Sequence, residues 1–252
     1  MTHPAHTQSD HRVRLEWGPV GALAVAGGAD IAVVVDVLSF TTTLTVAVER
    51  GIAVHPYPWQ DGGAEAYAAQ RRATLAVGRF EAAGRADRIT LSPASLEQVT
   101  GVERLVLPSP NGSTIAFLLA ESGARVAGAC LRNAPAVAAW VRPYVDDGAR
   151  VAVVPAGERW PDGSLRPAVE DLWGAGAVLA ALDQDDILSP EARVAAAAFR
   201  AVEQVLSSEL AGCASGAELA GAGFAEDVRF AGEYAVSPVV PVLEGDAFVA
   251  AS

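Results

Sequence analysis

Apolar residues in this chain gather into short runs separated by amphipathic stretches, and the two alternate through most of its length. Apart from Asp36 and the leading Arg104 and Arg125, the runs at 31–37, 104–107, 125–129 and 151–155 are apolar at consecutive positions, the pattern of strands buried on both faces. Weaker strand signals lie at 13–17, 52–55, 74–77 and 239–243. Helices are predicted at 44–50, 61–72, 115–121, 134–144, 168–182 and 191–206, and the last third reads helical to about Tyr234. Asp61, Ser92 and Asn133 stand where N-caps are expected, Gly51 and Gly123 where helices stop, and Pro143 predicts a kink. This alternation predicts βαβ units, hence an α/β fold whose mostly parallel sheet is covered on both faces. Residues 1–11 are polar and read as a flexible tail. Residues 12–252 read as one compact α/β domain, or two closely packed lobes, because no linker, including the acidic stretch 183–189, is long enough to separate them.

The run ending in Asp36 is the most informative. Ser39, Thr41, Thr42 and Thr43 follow it, just before a helix. Ligands of open α/β sheets bind beyond the carboxyl ends of strands, so a carboxylate and several hydroxyls stand where a site is expected. A helix N-terminus there also favours an anion. The same residues would equally serve to cap the helix and order the turn. A second loop of this kind, Ser109-Pro110-Asn111-Gly112-Ser113-Thr114, follows the run 104–107. Asn111-Gly112 allows a tight turn, and Ser113 and Thr114 bring hydroxyls and unpaired N–H groups to a helix start. Glu170 and Asp171 open a third helix, where the helix dipole favours acids. Neighbouring helical positions point about 100° apart, so one of these two is expected to face a shared site. The loop 157–166 carries Glu158, Arg159, Asp162 and Arg166 and can bring an arginine to a phosphate. Gly174-Ala175-Gly176 lies inside a helix, where close packing explains it better than dinucleotide binding. Glu226-Asp227 reads as a solvated pair, with Asp227 also able to approach the site.

Composition narrows the chemistry. The 252 residues include no lysine, and all 18 basic residues are arginine, which removes Schiff-base chemistry and the P-loop lysine. His55 is the one histidine outside the polar tail, so neither a multi-histidine zinc site nor an evident serine triad is available. Two cysteines, Cys130 and Cys213, make neither a metal knuckle nor a disulfide scaffold and suit a reducing, cytoplasmic location. Carboxylates, hydroxyls, amides and arginines remain, a set that suits a hard divalent cation such as Mg²⁺. The net charge of −12 argues against a nucleic-acid partner, and no apolar run reaches the length of a membrane span.

Together these segments resemble the 2-phosphosulfolactate phosphatase (ComB) family. The resemblance rests on Val-Val-Asp-Val-Leu and the threonine-rich run at 34–43, Asn-Gly-Ser at 111–113 and Arg-Asn-Ala at 132–134. It continues with Ala-Gly-Glu, Glu-Asp and Gly-Ala-Gly between 156 and 176, and covers nearly the whole chain from Val13. It implies a three-layer α/β/α fold and Mg²⁺-dependent hydrolysis of a phosphate monoester of a small 2-hydroxy acid, with 2-phospho-3-sulfolactate as the family substrate. In that reading Asp36 and Glu170 are catalytic, and Asp36, Glu170 and Asp171 hold the metal. Thr41, Thr42, Asn111, Gly112, Ser113, Asn133 and Arg159 bind the anionic phospho-acid. Whether Asp36 is nucleophile or metal ligand is left open, as is assembly into a homo-oligomer. The family commonly carries Arg-Ala where this chain has Ser39-Phe40, and Thr-Thr where it has Ser109-Pro110. That departure motivates the alternative of a small-anion-binding relative that has changed substrate or lost the chemistry.

Overall fold

A computed structural model describes residues 3–58, 62–78, 89–97, 99–182 and 185–251. The expected cap at Asp61 and the start of the acidic stretch at 183–184 lie outside the described residues.

The first half of the chain runs β1 (Val13–Leu15), α1 (Gly18–Val25), β2 (Ile31–Val35), α2 (Phe40–Glu49), β3 (Ala53–Pro58), α3 (Ala64–Arg71), β4 (Thr74–Leu75), α4 (Pro93–Leu96), β5 (Arg104–Ser109) and α5 (Gly112–Ala120). Next come β6 (Arg125–Ala129), α6 (Ala134–Asp146), β7 (Val151–Pro155), the small hairpin β8 (Glu158–Arg159) and β9 (Leu165–Arg166), and α7 (Val169–Leu182). The chain ends with α8 (Pro190–Val202), α9 (Leu206–Gly212), α10 (Ala214–Gly221), α11 (Ala225–Ala231), β10 (Pro241–Glu244) and β11 (Ala247–Ala250).

Nine strands form one sheet in the order β1-β7-β2-β6-β10-β11-β3-β5-β4. Five neighbouring pairs are parallel, and three, around the β10–β11 hairpin, are antiparallel. The fold is a three-layer α/β/α sandwich. Alternate β2 residues explain the layers: Ile31, Val33 and Val35 face a core built from α6, α7 and α8, whereas Ala32 and Val34 face α1, α2 and α5.

The hairpin was not legible beforehand. It sits in the middle of the sheet and reverses the strand direction, so the block β1-β7-β2-β6 runs opposite to β3-β5-β4. Each step in a sheet adds about 20–25° of twist, and the five steps from β2 to β5 therefore turn the second block by about 100–125°. The blocks cross, and α5, leaving β5, packs against both β3 and β2.

Three local readings need correction. Helix α2 starts at Phe40, ahead of the predicted Leu44, because the threonine hydroxyls bond nearby carbonyls and tertiary packing outweighs their weak helix propensity. The polar segment 4–11 is attached to the body: Gln8 donates through Nε2 to the Leu15 carbonyl at 2.8 Å and accepts from Leu15 N at 3.1 Å. Asp227 is buried and takes a 2.5 Å hydrogen bond from Ser92 Oγ, so only Glu226 of that pair is solvated. The glycines of α7 do serve packing. A Cβ on Gly174 would lie 2.7 Å from both Val35 and Val37, and one on Gly176 would lie 2.1 Å from the Ala195 carbonyl of α8.

Candidate active site

Asp36 follows β2, and its carboxylate ties two loops together. Oδ1 accepts from Phe40 N at 3.1 Å, and Oδ2 accepts from Gly112 N, the first residue of α5, at 2.8 Å. The two tips singled out in the sequence therefore meet. Gly112 is required by that meeting, because a Cβ there would lie 2.6 Å from Asp36 Oδ2 and 2.6 Å from the Phe40 ring. Asp171 makes a matching link one helix away. Its Oδ1 accepts from Val37 N at 2.7 Å and its Oδ2 from Gly157 N at 2.8 Å, joining the loops after β2 and β7.

A cavity of about 400 Å³ opens beside this junction. Asn111 and Thr114 line one wall, Glu158, Arg159 and Ser164 of the β8–β9 hairpin another, and Val20 of α1 a third. Asn111 Nδ2 donates to Glu158 Oε2 at 2.8 Å across it. Arg159 is exposed at the rim, where its guanidinium donates to the Pro110 carbonyl at 3.4 Å.

Four carboxylates, Asp36, Glu158, Glu170 and Asp171, lie close enough to disturb one another. Burial, then the charges of Asp36 and Glu170, push Glu158 up to about 7, against the opposing effects of Asn111 and Arg166. Burial, followed by Asp36 and Glu170, raises Asp171 well above the usual carboxylate range. Glu170 is buried next to Cys213, whose thiol donates to Oε2 at 3.5 Å and is pushed up to about 11 by burial and that carboxylate.

Other expected ligands are engaged elsewhere. Thr41 and Thr42 are fully buried, their hydroxyls donating at 2.7 Å to the carbonyls of Asp36 and Val37. Ser113 Oγ accepts from Tyr57 N at 2.7 Å and donates to the Leu107 carbonyl at 2.9 Å, locking β3 to β5. Asn133 occupies the N-cap position of α6 without capping it. Its amide accepts from Cys130 N at 2.8 Å and donates to the Gly128 and Val239 carbonyls, away from the cavity. The trio Asp36, Glu170 and Asp171 makes no closed metal cage, and among the described residues no group of three His, Cys, Asp or Glu side chains has that arrangement. Asp171 points both oxygens at backbone amides, and Glu170 turns to Cys213. The residue that sequence reasoning undervalued is Glu158. It stands three residues beyond Pro155, in the loop past a strand's carboxyl end, as Asp36 stands directly beyond Val35.

The donor set still fits Mg²⁺. That ion commonly takes one or two carboxylates and completes its shell with water and substrate phosphate. Burial is the larger cause of the rise at Glu158, and the part contributed by the charges of Asp36 and Glu170 is what a cation would relieve.

Comparison with known proteins decides the family. A model of the 2-phosphosulpholactate phosphatase family matches residues 24–246. This chain belongs to that family. It is 30% identical over 215 residues to a 2-phosphosulfolactate phosphatase of Methanothermobacter thermautotrophicus, covering 85% of this chain and 87% of that one. It is 31% identical over 226 residues to a protein of Thermus thermophilus named "Probable 2-phosphosulfolactate phosphatase", covering 86% and 89%. The matched span contains the Asp36–Gly112 junction, Glu158 and α7.

Proposed function

We propose that this protein is a Mg²⁺-dependent phosphatase acting on the phosphate monoester of a small 2-hydroxy acid; the names of its relatives support the phosphatase part of that reading. The observation that carries the reading is the Asp36–Gly112 hydrogen bond beside an open cleft bearing Glu158, Asn111 and Arg159. Arg159 and the Asn111 amide hold the anionic oxygens at the rim. Glu158 is the principal metal carboxylate, with Asp36 and Glu170 behind it, directly or through water. Bound there, Mg²⁺ would neutralise charge on the transferring phosphoryl group and lower the pKa of a coordinated water.

Water attacks phosphorus, the bond to the alkoxide oxygen breaks, and that oxygen takes a proton. That proton comes from solvent, and the proton lost by the attacking water leaves with the phosphate product, so no side chain has both to hold the metal and to donate the proton. Asp36 accepts two backbone N–H bonds, which orient its carboxylate and blunt it as a nucleophile. Positioning and electrostatics dominate, since phosphoryl transfer leaves little covalent work to the protein.

The substitution of Ser39-Phe40 for the family's Arg-Ala favours a second reading, a binder without turnover. Phe40 is buried edge-on against Phe248, with ring centroids 6.4 Å apart, and supplies no charge to an anion. The two readings separate on phosphate release from 2-phospho-3-sulfolactate and a panel of small phospho-acids, with EDTA and then with added Mg²⁺. Catalysis predicts metal-restored turnover that Asp36→Asn lowers about a hundredfold or more. Saturable binding with no release in any metal would establish the binder, and full activity in Asp36→Asn would remove that residue from the mechanism.

A further inference from the structure

At the other end of β5 from Asn111, about 20 Å away by strand rise, lies a second cavity of about 490 Å³. His55, Gln70, Arg71, Arg72, Arg104 and Asp246 line it. Three guanidinium groups face one carboxylate there, in a chain whose net charge is −12. Arg71 donates through Nε to Asp246 Oδ2 at 2.7 Å and stacks over the Tyr67 ring at 3.4 Å, and Arg104 donates to the Arg71 carbonyl at 3.2 Å. Arginines at the end of α3 answer that helix's dipole, which accounts for Arg71 and Arg72 but not for Arg104, on another element.

His55 is the second observation. It is 94% buried, with Arg71 and Arg104 close enough to act on its charge. Its Nδ1 lies 3.0 Å from the Asp246 carbonyl, which assigns the neutral ring's proton to Nδ1. Nε2 is buried without a partner among the described residues. A buried polar atom left unpaired calls for a ligand or a reason.

We propose that this cavity is a second anion site, distinct from the active-site cleft, which binds a small molecule bearing a phosphate or sulfonate group. Arg72 and Arg104 clamp the oxyanion, and His55 gives it a hydrogen bond from Nε2 after taking a proton from solvent. The groups facing His55 are Tyr67 and Arg71 of α3, Arg104 of β5 and Asp246 of the β10–β11 turn. Burial and the two arginines hold the His55 imidazole below its usual range against the pull of Asp246, so binding is coupled to proton uptake.

The test follows the His55 ring by NMR, assigned with His55→Gln, while pyrophosphate is added at constant ionic strength. Inorganic phosphate, glycerol 2-phosphate and methanesulfonate in separate titrations distinguish a phosphate from a sulfonate site. The expected result is a saturable His55 shift whose affinity falls about tenfold or more in the Arg72→Gln/Arg104→Gln double variant, with circular dichroism and phosphate release unchanged. A His55 signal that does not respond, or that responds equally in the double variant, overturns the proposal.

Discussion

Replacing Gly112 by alanine probes the contact on which the site depends. The added methyl would lie 2.6 Å from Asp36 Oδ2, 2.6 Å from the Phe40 ring and 2.8 Å from Asp36 Cβ, all of them buried and held by their own bonds. Overpacking of this kind costs about 1–3 kcal/mol. Moving Asp36 away also lengthens its 2.8 Å bond from Gly112 N, a charge-assisted contact worth about 1.5–3 kcal/mol. Against this stands a gain of at most about 1 kcal/mol from alanine's helix propensity. The net expectation is a loss of about 2–4 kcal/mol in urea denaturation, with a large fall in kcat because Asp36 and the α5 N-terminus separate. Gly221, at the end of α10, has nothing within 4 Å of its would-be Cβ, so Gly221→Ala is the matched control and should be neutral or slightly stabilising. Equal stability and activity in Gly112→Ala and wild type would refute the close approach of the two loops.

Asp171→Ala leaves Val37 N and Gly157 N unpaired in a buried setting, and should cost about 2–6 kcal/mol by denaturation; a loss under about 1 kcal/mol would show that the loops hold without it. Glu158 has a native value of about 7 against 4.5 unfolded, so the native state binds the extra proton. Its contribution is full below about pH 4.5 and is lost as pH rises to about 7, a swing on the order of 3 kcal/mol in metal-free protein, and Glu158→Gln should remove that slope between pH 5 and pH 8. A slope unchanged by the substitution would locate the titrating group elsewhere. Arg159→Gln, at an exposed rim position, should raise KM with little change in melting temperature; an unchanged KM would exclude it from substrate binding.

The strands of the two parallel blocks were legible because consecutive apolar residues have few other uses in a chain of this kind, and Val33–Val35 alternates between two cores as that pattern requires. The tips at Asp36 and Asn111–Gly112 were legible for the same reason, since polar residues directly beyond such strands are conspicuous. What the pattern lacked was direction. The β10–β11 hairpin that reverses half the sheet is made of the weak strand signal at 239–243 and a following segment, Ala247–Ala250, that carried no strand prediction. Thr41, Thr42, Ser113 and Asn133 have the chemistry of phosphate ligands, but hydroxyls and amides serve backbone carbonyls as readily, and only coordinates distinguish the two uses. Glu158 was passed over because a short hairpin looks like a solvated loop in sequence.

The buried acids divide into two kinds, and the division explains how this chain can differ from its relatives at residues 39–40. Asp36 and Asp171 together accept four backbone N–H groups, from Phe40, Gly112, Val37 and Gly157, so at Phe40 the junction uses the main chain and not the side chain, whereas Gly112 and Gly157 have no room for one. Ser39 and Phe40 can therefore replace an arginine and an alanine without dismantling the junction, and Phe40 turns inward to Phe248. Charge recognition then has to come from side chains that project into the cleft from outside that framework, which are those of the β8–β9 hairpin. Grafting arginine back at Ser39 should accordingly alter substrate preference more than stability, whereas exchanging Arg159 and Ser164 should alter both affinity and the shape of the cleft. If Ser39→Arg instead lowered stability by several kcal/mol without changing the relative rates across phospho-acids, residue 39 would belong to the framework and the separation of the two roles would fail.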